Sequence, residues 1–336
     1  MKLAIFALFL NLSFTFAQGG QSNCKESKVI QLDPTFPVYT IVGGYNWLSD
    51  SRVIYVVAGL TNNQFIINDY GTSNNPSSKI KLLNYTLNEL GQASLEWFLS
   101  PDKSKILVTA ASDIASADFV ADLKSGGIIS TCIPLKGYRF VWLPNSAGWI
   151  ELFDRHGYSV MRVFKSAPTN YFNQVDIPGL VGTPVGFNRN WNLISIVTSG
   201  SSNSLFLVEC HLSSKPAILR KTRLLTPPHL TVKEVIVSPS GNELAWLFVA
   251  SNQQKRNAAE PDLRIYSVWL SDTSGNGLNR VASVFDSGVR CLRYKPDGRD
   301  LSFCSDHGLY ALDPFFEATN SPGALIKPTS QTDQHL

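Results

Sequence analysis

No G-x-S-x-G, H-E-x-x-H or paired C-x-x-C occurs anywhere in the 336 residues. The missing nucleophile elbow excludes the common serine hydrolases. Its nearest approach, Gly157-Tyr158-Ser159, carries Met161 where the second glycine belongs. The missing histidine and cysteine spacings exclude the familiar zinc sites, so no catalytic residue, metal ligand or cofactor is assigned. Charge is sparse as well. Only 16% of residues are charged, the net charge is +3, and no Lys/Arg block or aromatic-spaced basic stripe is present, which argues against a nucleic acid partner. Helix-period stretches of useful length are absent, which points away from an α/β chain. With 44% hydrophobic and 11% aromatic residues, the chain still has ample material for a core.

One long apolar run stands at the start. Lys2 supplies a positive end, Leu3 to Phe16 an apolar segment, and Thr15-Phe16-Ala17 a small-x-small cleavage site. The pattern predicts a signal peptide over 1–17, a linker over 18–27, and a secreted or periplasmic protein. An uncleaved anchor helix is the competing reading. The run is shorter than the ~20 residues a span needs, so no membrane span is expected in the mature chain.

Five cysteines in an oxidising compartment leave at least one unpaired. Cys291 and Cys304 flank CLRYKPDGRDLSFC, and an even-length loop centred on Asp297-Gly298 sets them opposite each other as a disulfide candidate. A three-residue loop with a bulge would move Cys304 to the other face. The pairing of Cys24, Cys132 and Cys210 is left open.

What the chain does have is repetition. VIVSPSGNELAWLFV, from Val235 to Val249, reads as two apolar strands joined by a Pro/Gly turn. Relatives of it start at Tyr45, Leu95, Tyr138, Val185 and Val289. Their turns, aligned on Ser49, Pro101, Pro144, Asn188, Pro239 and Pro296, are 52, 43, 44, 51 and 57 residues apart. Periods of this size in β-patterned sequence indicate propeller blades. A third apolar run and a weaker fourth follow each hairpin. The expectation is all-β: one six-bladed β-propeller of four-stranded antiparallel blades over 28–327, with a flexible tail over 328–336. The turns of the third and fourth units lack Gly and carry the weakest signal. The last blade needs a strand from elsewhere, either Val29 to Leu32 or Ala324 to Lys327, to protect its edge.

SPDKSKILV with FVADLKSGG, and KPDGRDLSF with GLYALDP, resemble the TolB-like six-bladed propeller repeats. The resemblance covers nearly the whole mature chain and is specific in the second, fifth and sixth units. It implies six blades, export, and a role as an interaction platform, and it extends to the gating domain of prolyl oligopeptidase relatives. TolB also carries an N-terminal α/β domain, whereas about ten residues separate the predicted cleavage site from the first strand here.

Candidate site residues cluster on the face opposite the Pro/Gly turns. FDRHGY and CSDHGLY put Asp154 and His156, and Asp306 and His307, at the second turn of the third and sixth units, where they could meet across the channel mouth. Asp, His and Gly are also ordinary tight-turn residues. Two polar insertions, Asn68 to Ser78 and Ser251 to Asp262, share that face, with Tyr70, Lys255, Arg256 and Glu260 as candidate contacts. Trp47, Trp97, Trp142, Trp191 and Trp246 recur beside the hairpin turns and are expected to pack between blades. The resulting expectation is a non-catalytic module that binds a protein or peptide. The alternative is a propeller enzyme of the lactonase, lyase or sugar dehydrogenase type, with its polar or metal site at the channel mouth.

Overall fold

The computed structural model describes residues 27–34, 36, 41–57, 64–69, 79–80, 94–111, 116–132, 139–155, 158–165, 172–177, 182–199, 204–212, 215–250, 264–286 and 288–313. The expected signal peptide, most of the linker, both polar insertions apart from 68–69, strand candidate 324–327 and the tail lie outside them. The strands that lead into the two insertions end on opposite sides, Asp69 beside Arg52 at the first hairpin turn and Ala250 beside Leu230 at the far end, so the insertions do not share one face as expected. No described helix is long and apolar enough to cross a membrane.

The regular elements are strands, arranged as four-stranded antiparallel sheets in an all-β, propeller-like fold. The first sheet holds β2 (Ile41–Ser49), β3 (Arg52–Val57), β4 (Gln64–Asp69) and β5 (Lys79–Ile80). The second holds β6 (Ser94–Leu99), β7 (Lys105–Ala111), β8 (Ser116–Asp122) and β9 (Ile128–Cys132). Next come β10 (Arg139–Trp142), β11 (Gly148–Arg155), β12 (Tyr158–Lys165) and β13 (Phe172–Ile177), then β14 (Thr183–Phe187), β15 (Leu193–Ser199), β16 (Ser204–His211) and β17 (Ala217–Arg223). The fifth sheet holds β18 (Leu230–Val237), β19 (Glu243–Ala250), β20 (Arg264–Asp272) and β21 (Asn279–Asp286). The last holds β22 (Arg290–Tyr294), β23 (Leu301–Ser305) and β24 (Gly308–Asp313), and its edge is β1 (Lys28–Asp33), paired from Lys28 with Asp313 to Asp33 with Leu309. Of the two candidates for that edge, the N-terminal one is therefore used.

Local chemistry explains the hairpins. In the turns after β18 and β22, Gly241 and Gly298 adopt φ of 69° and 73° and donate N–H to Ser238 O and Lys295 O. The turns without glycine hold the same left-handed corner with Lys103, Ser146 and Trp191, at φ of 60°, 55° and 61°. That conformation costs an ordinary residue about 1 kcal/mol. It explains why the third and fourth units fold alike despite a faded motif. The fourth turn is also one residue shorter, since Asn188 N bonds Asn192 O whereas Ser238 N bonds Glu243 O. At the ends of β8 and β20, Asp122 and Asp272 accept backbone N–H groups from the following turn, which gives the D-L-x-x-G pattern its physical meaning.

Packing explains why the strands are so apolar. β23 is buried along its whole length and β19 over five consecutive residues, whereas the outer strand β17 alternates exposed and half-buried positions. A strand covered by sheets on both faces has no polar side to present. Buried clusters join each sheet to the next: Ile54 and Val56 with Trp97 and Ile106, Leu107 with Trp142 and Trp149, and Ile150 with Leu193. Ile194 with Trp246, Leu247 with Leu292, and Cys304 with Tyr45 and Trp47 continue the series. Trp47, Trp97, Trp142 and Trp246 are buried as expected, but Trp191 is 52% exposed because its left-handed turn position points it outward.

Candidate functional site

The innermost strands surround a cavity of about 900 Å³. Every sheet contributes to it through its first strand: Trp47, Phe98, Trp142, Phe187, Val237 and Arg293 are among the lining residues. Pro101, Lys103, Pro144, Pro239, Pro296 and Lys295 line it as well. These belong to the first hairpin turns or lie beside them, so the cavity reaches that end of the strands. Among the described residues, its walls combine aromatic and prolyl rings with Lys103, Lys295, Arg293 and Glu96.

The cations are held differently. Arg293 pairs with Glu234 of β18 at 2.5 Å and donates to Tyr45 O at 3.1 Å, so one guanidinium ties the fifth, sixth and first sheets together. Glu234 also accepts the Leu292 N–H at 2.9 Å. Lys295 lies 5.2 Å from the Trp47 ring centre and 3.4 Å from Asp300. Lys103 is shifted below the usual lysine range by desolvation, against a weak opposing effect of Asp50. A lysine in a partly dry, concave setting attracts an anionic group that replaces its lost water.

Asp102 fixes the turn that presents Lys103. Partial burial alone would raise its pKa, but hydrogen bonds from Ser100 Oγ at 2.6 Å and from Ser104 N and Oγ, with Lys105 nearby, hold it at about 2. The folded value lies below the ordinary 3.8, so the turn's stabilisation is complete above pH 3.8 and is lost as pH falls towards 2. A carboxyl-carbon NMR titration is expected to place its midpoint near 2 in the folded protein. An ordinary midpoint would show that these bonds do not persist in solution.

The residues singled out by sequence fall elsewhere. Asp154 lies in β11 opposite Ser159, while His156, Tyr70, Lys255, Arg256 and Glu260 lie outside the described residues. Asp306 and His307 occupy the β23–β24 turn. His307 Nδ1 is 2.5 Å from Asp286 Oδ1, and Asp286 also accepts from Ser305 Oγ at 2.6 Å. Asp306 pairs with Arg290 at 3.4 Å and rests on Gly288, where any side chain would collide with its carboxylate. His307 thus ties the second turn of the last sheet to the end of β21, and Asp306 ties it to β22 and the loop that leads into it. Among the described residues, no group of three or more His, Cys, Asp or Glu side chains could hold a metal ion.

Cys291 and Cys304 are free thiols in contact. The even register holds at Tyr294 with Leu301 and Arg293 with Ser302, then slips, so that Cys304 faces Arg290 rather than Cys291. Sequence reasoning also missed the cavity wall. Its signal was present in the aromatic and cationic residues of the first strands, but only their convergence gives them a common purpose.

Fold and cavity together define an all-β, propeller-like protein with a ligand-sized central cavity. The fold is similar to that of TolB-type propellers. TolB from Acinetobacter baumannii superposes with a TM-score of 0.50 at 15% identity, over 78% of this chain and 63% of that one. The putative TolB of Agrobacterium tumefaciens gives 0.49 at 13% identity, over 80% and 88%. An oligogalacturonate lyase solved in complex with manganese gives 0.50 at 12% identity, over 86% and 93%. At these identities the likeness is one of fold. No family model matches the sequence, and no curated protein does.

Proposed function

We propose that this chain is an exported six-bladed β-propeller that binds a protein or peptide partner, with an extended acidic segment seated in the central cavity. The observation that carries the reading is the cavity wall, where aromatic and prolyl rings alternate with Lys103, Lys295 and Arg293. Rings receive peptide backbone and apolar side chains at little entropic cost, and Lys103, beside Arg293 and Lys295 that already hold Glu234 and Asp300, offers its charge to a carboxylate. Six blades are supported by the six four-stranded sheets and by the contribution of all six first strands to one cavity. The insertion containing Lys255, Arg256 and Glu260, which follows Ala250, forms a second contact surface in this reading at the other end of the strands, whereas the one containing Tyr70 follows Asp69, the partner of Arg52, and so adjoins the end that bears the first hairpin turns.

The test is affinity capture from the native envelope or secretome, with identified partners remeasured as peptides. Lys103→Glu reverses one charge at the mouth and is expected to weaken peptide binding at least about tenfold, with steeper loss in salt. Deletion of 251–262 is expected to leave the fold intact and to abolish capture of the whole partner. Unchanged peptide affinity in Lys103→Glu rejects the cavity, and unchanged capture by the deletion rejects the insertion surface.

An enzyme is the second reading, favoured by one observation. Asp286 engages Nδ1 of a 44% exposed His307, the orientation in which a carboxylate directs the other ring nitrogen outward for proton transfer. With Asp154, His156 and Asp306 it would form the polar centre of a channel-mouth site. Full retention of any turnover found in His307→Gln would remove His307 from that role.

A further inference from the structure

The contact between Cys291 and Cys304 is made by three specific features of the backbone. A bulge between Arg290 and Arg293 takes β22 out of register with β23 by one residue. Within it Cys291 adopts φ of 58°, a left-handed conformation that few residues other than glycine occupy and that persists only where the surroundings demand it. The surroundings here include Gly44 of β2, where a Cβ would lie 2.6 Å from Cys291 Sγ. The missing side chain at 44 is the space the sulfur occupies. The outcome places half-buried Cys291 against fully buried Cys304, whose one S–H faces both the Cys291 sulfur and Arg290 O, the latter 3.5 Å away.

The two sulfurs are not equivalent. The hydrogen bond from Cys304 holds the Cys291 thiol below its ordinary pKa. Burial opposes this, Arg293 and Arg290 assist it, and Glu234 works against them. That same bond and burial push Cys304 far up, so it keeps its proton. Lys233 and Tyr45 complete the groups facing Cys291. A partly exposed thiolate beside a buried thiol is the arrangement of an attacking and a resolving cysteine.

We propose that Cys291 and Cys304 form a reversible, hydroperoxide-responsive dithiol that clasps β22 to β23 beside the first sheet. The Cys291 thiolate attacks the hydroperoxide: an S–O bond forms, the O–O bond breaks, and the departing hydroxide or alkoxide takes up a proton. The Cys304 thiol, giving up its proton, then attacks the Cys291 sulfenic acid: the S–S bond forms, the S–O bond breaks, and water leaves. Two thiols and one hydroperoxide become one disulfide, one alcohol or water, and one water. The clasp removes a negative sulfur from beside Arg293, a residue of the cavity wall.

The test uses the full chain, reduced with dithiothreitol, desalted without air, and treated with a small excess of hydrogen peroxide. The mass is expected to fall by two hydrogens, a tryptic peptide pair is expected to join Cys291 to Cys304, and dithiothreitol should reverse both under native conditions. In Cys304→Ala the reaction is expected to stop at a sulfenic acid that dimedone labels on Cys291, while Cys291→Ser forms no bond to Cys304. Peptide mapping of the unsubstituted protein needs neither variant to fold. Cross-linking that joins either cysteine to Cys24, Cys132 or Cys210, the absence of a 291–304 peptide pair, or a bond that resists dithiothreitol in the folded protein overturns the proposal.

Discussion

A chain that starts at Phe36, without β1, is expected to lose cooperative folding or to unfold at a far lower urea concentration. Among the described residues, β1 is the strand of the last sheet that comes from the other end of the chain, and it covers the edge of β24 from Leu309 to Asp313. Its side chains act as well. Gln31 Nε2 donates to His307 O at 2.9 Å and Tyr310 Oη at 3.2 Å, while Val29 and Leu32 pack on the clusters at either side of the sheet. Close approach is built in at Gly308, where a Cβ would lie 2.3 Å from Asp33 O. Several backbone bonds at about 1 kcal/mol each, with the apolar cover, amount to roughly 5 kcal/mol. That is comparable to the whole stability of many domains. The deletion should also expose an unpaired edge and promote association, seen by size-exclusion chromatography. An unchanged urea midpoint and a monomeric profile would show that β1 does not close the sheet in solution.

The second large effect is expected from Ser302→Ala. Ser302 is fully buried on β23, and its Oγ accepts from Tyr45 Oη and Trp47 Nε1, each at 2.7 Å, while its own hydroxyl reaches Arg293 O at 3.3 Å. Tyr45 and Trp47 belong to the first sheet, so this one oxygen joins the first sheet to the last. Removing it takes their shared acceptor from two buried donors. Leaving a buried donor unmet costs about 1–3 kcal/mol, so a loss of about 3 kcal/mol is expected in urea unfolding. The combination with Tyr45→Phe should recover part of that loss, since one stranded donor then disappears. A change below about 0.5 kcal/mol would mean that the hydroxyl is not the shared acceptor.

Both predictions concern the join between the first and last sheets, as do the thiol pair and Arg293. That join is where sequence reading was strongest in outline and weakest in detail. The need for an edge strand, and Val29 to Leu32 as a candidate, follow from pattern alone. The bulge at Cys291 does not, because it depends on Gly44 nearly 250 residues away in the chain. His307 shows the same limit. Its turn is legible from CSDHGLY, but its partner Asp286 sits at the end of the preceding sheet. Trp191 shows the converse error: a repeating tryptophan reads as packing, yet a left-handed corner turns this one out to solvent.

The sequence by itself determined the all-β class, the repeating hairpin, most of the turns and the need for an added edge strand on the last sheet. These depend on local forces: strand periodicity, the φ restriction of Pro and the left-handed freedom of Gly241 and Gly298. Tertiary structure alone decided the cavity, the Arg293–Glu234 pair and the meeting of the two sulfurs. The cavity and the ion pair join residues from different sheets, and the sulfurs meet within one sheet only because Gly44 of another makes room for Cys291; such distances are set by how the sheets stack, which no local preference encodes.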